Sequence, residues 1–386
     1  MHARSPTVRY QSLTSQIIQG ILVSLMVLLS VSIFVFFIYH SWINTNLSAS
    51  FADMITGSAH RPYVTRVLVP WLTRGIAAVL PSSIHQGVES LAFNDTLIRT
   101  LLIAYRTPAG YALEALISMG FQLLSILGFA FAFRGLYQKV FKTPALVPEM
   151  FTLVALIGLT PMLFYGYMYD FPSLFLSTLG LYAIAIQRKA IYFVVLALAI
   201  FNKETSIVLV APAILLFWDW PRPSLKKVLF GTLEQLGLYF AIRIPIAWIY
   251  RNNPGGNLEN HIVEHVIILR DYPVMTILSV VVTLIMLWLA FNRWRKKPAI
   301  IMFGTFPGLI LLAMFLTGGY PFEIRVFYDV YAAGFISMLY TMLLPKTELA
   351  SQWLTAQDWL NSLAAMISRM IRQQDSQIPS TRSNHN

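Results

Sequence analysis

The sequence predicts an all-α polytopic membrane protein with about ten transmembrane helices and a large first extracytoplasmic loop that contains interfacial helices. Hydrophobic residues make up 57% of the 386 positions and charged residues only 12%, a balance unlike that of a soluble domain. Several apolar segments approach or exceed the roughly 20 residues that cross a bilayer core as a helix. Because these segments are continuous rather than alternating, they favour helices over the strands of a membrane barrel.

Composition also excludes several kinds of chemistry. The chain has no cysteine, which excludes disulfide bonds, thiolate metal sites and cysteine catalysis. Its formal net charge is +11, but basic residues in a membrane protein commonly hold loops on the cytoplasmic side. No basic patch with interleaved aromatic residues stands apart from the apolar segments, so we expect no nucleic-acid partner.

The first apolar segment predicts a retained span followed by a large outer loop. The opening residues contain Arg4 and Arg9 and no acid, which predicts a cytoplasmic amino terminus. Residues 16–40 form the first span, since their apolar run is too long for the core of a cleavable signal peptide. Residues 41–107 are the outer loop. Within it, residues 65–80 have apolar side chains at helical spacing, which predicts an interfacial helix ended by Pro81.

The rest of the chain alternates apolar segments with polar connections. The further predicted spans cover residues 108–133, 150–167, 171–186, 191–202, 206–218, 228–250, 274–291 and 299–316, with a last one that ends near residue 344. Every inner connection contains Lys or Arg, as the positive-inside pattern requires. Residues 1–345 would form the membrane domain, and residues 346–386 a cytoplasmic amphipathic helix over 349–371 with a polar, disordered tail.

A charged pair between two short apolar segments is the sharpest candidate for a site. Lys203 and Glu204 fall on the outer face in this topology, where the lysine could bind a phosphate and the glutamate could orient it. An ordinary charged turn would explain the same pair. Tyr169 and Asp170, at the top of the neighbouring hairpin, could reach the same place. Asp170 could act there as a base, or it could be the N-cap of the following helix.

Other charged residues are predicted on the same face. Asp53, early in the large loop, could act as a positioned base or could simply be solvated. Arg61 and Arg66 suit bidentate binding of a phosphate, and snorkelling toward lipid headgroups explains both equally well. Arg325 is a further candidate for phosphate binding, with pairing to Glu323 as the alternative.

One short motif resembles a metal site. His261, Glu264 and His265 have the spacing of ligands on one helix face. The second half of a zinc site is not evident in the sequence, so chance recurrence of a short motif is the simpler interpretation. A divalent ion held by acids near a phosphate stays an open alternative to acids that act alone.

The predicted arrangement resembles the C-type glycosyltransferase superfamily of polytopic membrane enzymes across about residues 16–345. The resemblance rests on the cytoplasmic amino terminus, the large first outer loop with interfacial helices and an acidic residue, and the short later outer loops. It implies transfer of a sugar from a polyprenyl-phosphate donor on the extracytoplasmic side. A glycan, a lipid or a protein could be the acceptor.

The resemblance also implies roles for individual residues. Asp53 corresponds to the catalytic acid of the first loop, and Arg61, Arg66, Lys203 and Arg325 are candidates for binding the donor phosphate. No adjacent acidic pair occurs near Asp53, which departs from the commoner pattern. The expected partners are a lipid-linked sugar donor and membrane lipids. The expected location is a bacterial inner membrane with both termini in the cytoplasm.

Other classes of function stay open at this stage. A transporter or lipid flippase would need polar residues near the bilayer midplane, and Glu114, Glu234 and Arg243 are the charges predicted inside spans. A glycan polymerase or ligase of another membrane fold would also use outer-face arginines. A non-catalytic assembly partner would need no chemical site.

Overall fold

The computed structural model describes residues 13–41, 43–141, 143–144, 146–218, 224–256, 261–319, 323–343 and 355–376. Within these ranges the protein is all-helical and contains no β-strand, which confirms the predicted fold class at this level. The predicted cytoplasmic segment with Arg4 and Arg9 lies outside the described residues, as do positions 346–354 and 377–386 of the predicted tail.

Seventeen α-helices follow one another along the described residues. The first eight are α1 (Leu13–His40), α2 (Phe51–Thr56), α3 (Leu68–Val79), α4 (Ser82–Asn94), α5 (Thr96–Ala104), α6 (Ala112–Val140), α7 (Val147–Gly158) and α8 (Asp170–Ala185). The others are α9 (Lys189–Asn202), α10 (Val210–Ala213), α11 (Leu225–Ile249), α12 (Ile262–Asp271), α13 (Pro273–Phe291), α14 (Ala299–Thr305), α15 (Pro307–Gly318), α16 (Tyr331–Leu343) and α17 (Ala356–Ser376). Short 3-10 helices join several of them, of which Glu204–Leu209 and Ile324–Val330 matter most below.

Among the described residues, five helical segments are long and apolar enough to cross a membrane, which fits a multi-pass membrane protein. They are Leu13–His40, Ala112–Val140, Pro273–Phe291, Ala299–Gly318 and Ile324–Leu343. Several other predicted spans correspond to apolar helices of 10–17 residues, α8 and α9 among them. At 1.5 Å per residue, the 16 residues of α8 reach only about 24 Å, short of a hydrocarbon core of about 30 Å. The predicted count of about ten spans therefore stays a prediction.

The predicted loop 41–107 is mostly helical and contains α2 to α5. The helix expected over residues 65–80 is present as α3, which ends just before Pro81. One face of α3 is buried through Val69 and Thr73, while Leu72 and Val79 are exposed. An amphipathic helix of this kind is suited to the membrane interface.

Close packing of α6 against α8 forms the centre of the bundle. Gly128 and Gly135 of α6 lie under Phe175 and Tyr182 of α8, so near that an added Cβ atom would come within 2.7 Å and 2.9 Å of those rings. Small residues let membrane helices approach closely. This contact fixes α8, and with it Tyr169 and Asp170 at its first turn.

The amphipathic helix predicted near the carboxyl terminus is α17, shifted slightly along the chain. Its first residue, Ala356, donates its N–H to the Lys297 carbonyl at 2.9 Å. The Trp359 ring packs against Trp218 and Phe303, with ring centroids 5.0 Å and 4.7 Å away. The tail helix is therefore docked on the end of the bundle that holds the connection between α13 and α14.

Candidate functional site: a charged cavity

A cavity of about 340 Å³ lies where four segments of the bundle meet. They are the turn before α3, the 3-10 helix Glu204–Leu209, the end of α15 and the 3-10 helix Ile324–Val330. The cavity is lined by Pro62, Tyr63, Arg66, Lys203, Glu204, Thr205, Met314, Phe315, Thr317, Gly318, Gly319, Glu323, Arg325 and Val326. We call it the charged cavity. It brings together four of the residues singled out from the sequence: Arg66, Lys203, Glu204 and Arg325.

The break between α9 and the following 3-10 helix puts Lys203 and Glu204 at this cavity. Lys203 has an extended backbone, with φ −159° and ψ 143°, which ends α9. The preceding residue, Asn202, is fully buried and donates its side-chain N–H groups to the Tyr169 carbonyl at 2.9 Å and to Ser173 Oγ at 2.8 Å. The end of α9 is thus tied to the start of α8.

Lys203 is a buried cation whose ammonium N–H donors are not used by the described residues. Only 4% of the residue is exposed, and its Nζ lies 3.8 Å from Asp329 Oδ2, which is an ion pair but too long for a hydrogen bond. Asp329 is held in turn by the Thr205 and Ser177 hydroxyls, at 2.5 Å and 3.1 Å. The Lys203 ammonium makes no hydrogen bond within the described part of the chain, so its donors are available to a ligand.

Arg66 is held by an acid and by two aromatic rings. Its Nη2 and Nε donate to the two carboxylate oxygens of Glu204, at 2.6 Å and 3.2 Å, in a bidentate pair. Its guanidinium lies 4.5 Å from the Tyr169 ring centroid and 5.4 Å from that of Tyr63. Nη1 also donates to the Tyr169 hydroxyl. Burial raises the pKa of that hydroxyl above its ordinary value, so it stays protonated.

Asp170 acts on Arg325 rather than on the cavity itself. It is fully buried, and its two oxygens accept from Arg325 Nη1 at 3.1 Å and 3.2 Å. It also accepts the Tyr167 N–H at 2.7 Å, so its side chain does not make the N-cap bond that the sequence suggested. Arg325 further donates to Glu323, the alternative pairing proposed above, while its buried Nε has no hydrogen-bond partner among the described residues.

Asp53 and Arg61 do not line the charged cavity. The Asp53 carboxylate accepts from the Ser50 and Ser58 hydroxyls, at 2.5 Å and 2.8 Å, within its own turn of chain. Arg61 donates to the carbonyls of Asn253 and Gly255, at 3.0 Å and 2.7 Å. Arg61 thereby ties the large loop to the loop after α11, a role that its sequence position does not reveal.

Two charged residues of this network were missed by sequence reasoning. Asp329 sits within the apolar segment Ile324–Leu343, and that position inside a predicted span was the signal that could have found it. Arg243 was noted only as a charge inside a span; it lies 3.8 Å from Glu204 and donates to the Thr65 carbonyl at 2.9 Å.

The charges of this network balance. Four cations (Arg66, Lys203, Arg243 and Arg325) pair with four acids (Asp170, Glu204, Glu323 and Asp329). Buried charges are tolerated when each is paired. The donors that have no hydrogen-bond partner among the described residues are those of the Lys203 ammonium and the Nε of Arg325, so the network offers a ligand free donors rather than an excess of positive charge.

The short histidine motif does not form a metal site among the described residues, where no group of three or more His, Asp or Glu side chains is arranged to hold an ion. His261 Nδ1 lies 3.4 Å from Glu264. His265 Nε2 lies 3.0 Å from the Gly319 carbonyl, which it holds by a hydrogen bond. The motif therefore supports one edge of the charged cavity.

No family model, curated protein or solved structure matches this chain. Function is therefore argued from the cavity and its chemistry.

Proposed function

We propose that this protein is a membrane glycosyltransferase that moves a sugar from a polyprenyl-phosphate donor to an acceptor hydroxyl, with the charged cavity as its donor site. One observation supports this most strongly. Lys203 is buried at the cavity, yet its ammonium makes no hydrogen bond among the described residues and lies 3.8 Å from Asp329. A phosphate is the common biological anion that such a cation fits.

The cavity has both parts that a lipid phosphate needs. Arg325 lines it together with Lys203, and the Arg325 Nε has no hydrogen-bond partner within the described ranges. Met314, Phe315 and Val326 supply apolar surface in the same lining. A phosphate between the two cations, with the first isoprene units against the apolar side chains, satisfies both halves of the site.

The proposed reaction is a displacement at the anomeric carbon. The acceptor oxygen forms a bond to that carbon while the bond to the phosphate oxygen breaks, and polyprenyl phosphate leaves with the bonding electrons. Lys203 and Arg325 stabilise the negative charge that develops on the leaving phosphate. Arg66 is held beside them by Glu204 and Tyr169 and completes the basic wall.

For the base that takes the acceptor proton, we propose Glu323 in preference to Asp53 and Asp170. Glu323 lines the cavity, whereas Asp170 is fully buried behind Arg325 and the Asp53 carboxylate is bonded to two serines near α2. Glu204 also lines the cavity, but both of its carboxylate oxygens accept hydrogen bonds from Arg66, which suits it to orienting that guanidinium.

The test is turnover of polyprenyl-phosphate-linked hexoses and pentoses by the purified chain in detergent or nanodiscs, followed as release of polyprenyl phosphate. Lys203→Met should lower turnover by about 100-fold, the size of losing one preorganised charge contact in an active site. Lys139→Met, at an exposed lysine near the end of α6, is the matched control and should keep full activity.

Two results would overturn the proposal. One is equal turnover by Lys203→Met and Lys139→Met. The other is a wild-type protein that leaves every donor intact but moves a labelled lipid or solute across a vesicle membrane, which would establish the transporter or flippase alternative.

A further inference from the structure

A second cavity, of about 400 Å³, lies between the large loop and the start of α6. Its polar lining comes from α2, α3, α4 and α6 and includes Thr56, Arg74, His85 and Glu114. We call it the Arg74–Glu114 cavity. None of these residues lines the charged cavity, and the proposed function does not use them.

The two charged side chains of this cavity, Arg74 and Glu114, are not paired with each other or with another described residue. Arg74 and Glu114 form no ion pair within 4.0 Å, with each other or with any described residue, and neither side chain makes a hydrogen bond in the described part of the chain. The N-terminal end of a helix favours negative charge, and Glu114 lies in the first turn of α6. Opposite charges that share a cavity without pairing leave each free for a ligand.

The cavity is held open by contacts that avoid both charges. His85 Nε2 bonds the Ala77 carbonyl at 3.0 Å, which ties α4 to α3. Glu89 of α4 accepts the Ala112 N–H at 3.3 Å, which ties α4 to the start of α6. The apolar side chain of Ile55 closes one wall.

We propose that the Arg74–Glu114 cavity binds the headgroup of a zwitterionic phospholipid of the phosphoethanolamine type. Arg74 would bind the phosphate, and Glu114 would accept hydrogen bonds from the primary ammonium. A quaternary ammonium cannot donate such bonds. Arg74 belongs to α3, an amphipathic helix suited to the membrane interface, which favours a membrane lipid over a free headgroup.

The test uses the full chain purified from detergent into nanodiscs that contain equal amounts of phosphatidylethanolamine, phosphatidylcholine and phosphatidylglycerol. The lipids that stay bound after dilution into detergent are measured by native mass spectrometry. The wild type should retain phosphatidylethanolamine selectively. Glu114→Gln should lower its ratio to phosphatidylglycerol by at least about threefold, the size of one partly exposed ion pair. Arg74→Gln should lower retention of both lipids.

Matched controls are Arg99→Gln and Glu234→Gln, at exposed residues outside this cavity. Both should behave as wild type. Since Arg74 and Glu114 make no bond that folding needs, their variants should elute as the same monodisperse species. The proposal is overturned if Glu114→Gln keeps the wild-type lipid ratio. It is also overturned if soluble phosphoethanolamine displaces the lipid at equal concentration, because the ligand would then be a free headgroup.

Discussion

At the scale of single residues, pairing with acids determines which cations of the charged cavity have hydrogen-bond donors left for a ligand. Arg66 has both oxygens of Glu204, and Arg325 has both oxygens of Asp170. Among the described residues, the Lys203 ammonium has only Asp329 as a partner, at a distance too long for a hydrogen bond. Arg243 also lies 3.8 Å from Glu204, but it donates hydrogen bonds to Thr65. The Lys203 ammonium makes no hydrogen bond with the described residues, so it is the cation that we assign first to the ligand.

The Lys203–Asp329 pair predicts a large stability effect. Its side chains are 4% and 1% exposed, and removing one partner of a buried pair leaves an uncompensated charge. Asp329→Asn keeps the size of the side chain and should destabilise the protein by about 3 kcal/mol. Thermal unfolding of the purified protein in detergent measures this.

The control is Asp271→Asn. Its partner Arg270 is 73% exposed and Asp271 is 41% exposed, so this loss should stay within about 0.5 kcal/mol. The double variant Lys203→Met with Asp329→Asn should regain part of the stability, since no lone charge remains buried. Equal melting of Asp329→Asn and Asp271→Asn would show that the pair contributes nothing.

At the scale of elements, α13 is attached to the bundle by its last turn. Ala290 is its one buried residue, and the other side chains of this apolar helix are at least partly exposed. Lys297 Nζ donates to the Leu289 and Ala290 carbonyls, at 3.0 Å and 2.7 Å, and to Ser337 Oγ at 3.0 Å. A cation at the C-terminal end of a helix satisfies carbonyls that have no helical partner and complements the dipole.

Lys297→Met should therefore loosen α13 from α16. The expected result is faster hydrogen exchange in the last two turns of α13, with exchange in α6 unchanged. Lys296→Met, at the exposed neighbouring lysine, is the matched control and should leave both helices as in the wild type. Equal exchange of α13 in the two variants would contradict the anchoring role.

Lys297 also shows what hydrophobic patterning can predict. The apolar segments predicted the helices and the amphipathic tail because burial in lipid or protein imposes a period on the sequence. Lys297 was assigned to a basic inner loop by the same pattern, although it is fully buried. Counting charges along the sequence does not distinguish Lys297 from the other lysines of its loop. Lys297 can be buried because the folded chain places the Leu289 and Ala290 carbonyls within hydrogen-bond distance of its ammonium.

The charged cavity was predictable in part for a related reason. Assigning each turn to one membrane face grouped Arg66, Lys203, Glu204 and Arg325, which the structure brings to one cavity. The same rule grouped Arg61, whose side chain instead bonds the loop at Asn253. Two residues on the same membrane face are at a similar depth in the membrane but can still be far apart within its plane. Tertiary contacts therefore decide which of the grouped residues meet.

At the scale of the whole molecule, the proposed function depends on how the short helices are oriented. The donor site would be extracytoplasmic only if α8 and α9 run between opposite faces, so that Arg188, between them, lies on the other side from Lys203. Five helical segments within the described part of the chain are long enough to cross the membrane unaided. Shorter ones can cross where neighbouring helices cover them or where the bilayer thins.

Because the chain has no cysteine, single cysteines can test this arrangement without background. Ser82→Cys, at the start of α4, should react with a membrane-impermeant maleimide in intact cells. Arg188→Cys, at an exposed residue between α8 and α9, should react only after the membrane is permeabilised. With Arg188 on the cytoplasmic face, α8 and α9 would each run between the two faces of the membrane. Lys203, at the far end of α9, would then lie on the same face as Ser82. If both cysteines react in intact cells, the α8–α9 connection at Arg188 lies on the same membrane face as the large loop. Lys203, at the other end of α9, would then not lie on that face, and the proposed extracytoplasmic donor site would be wrong.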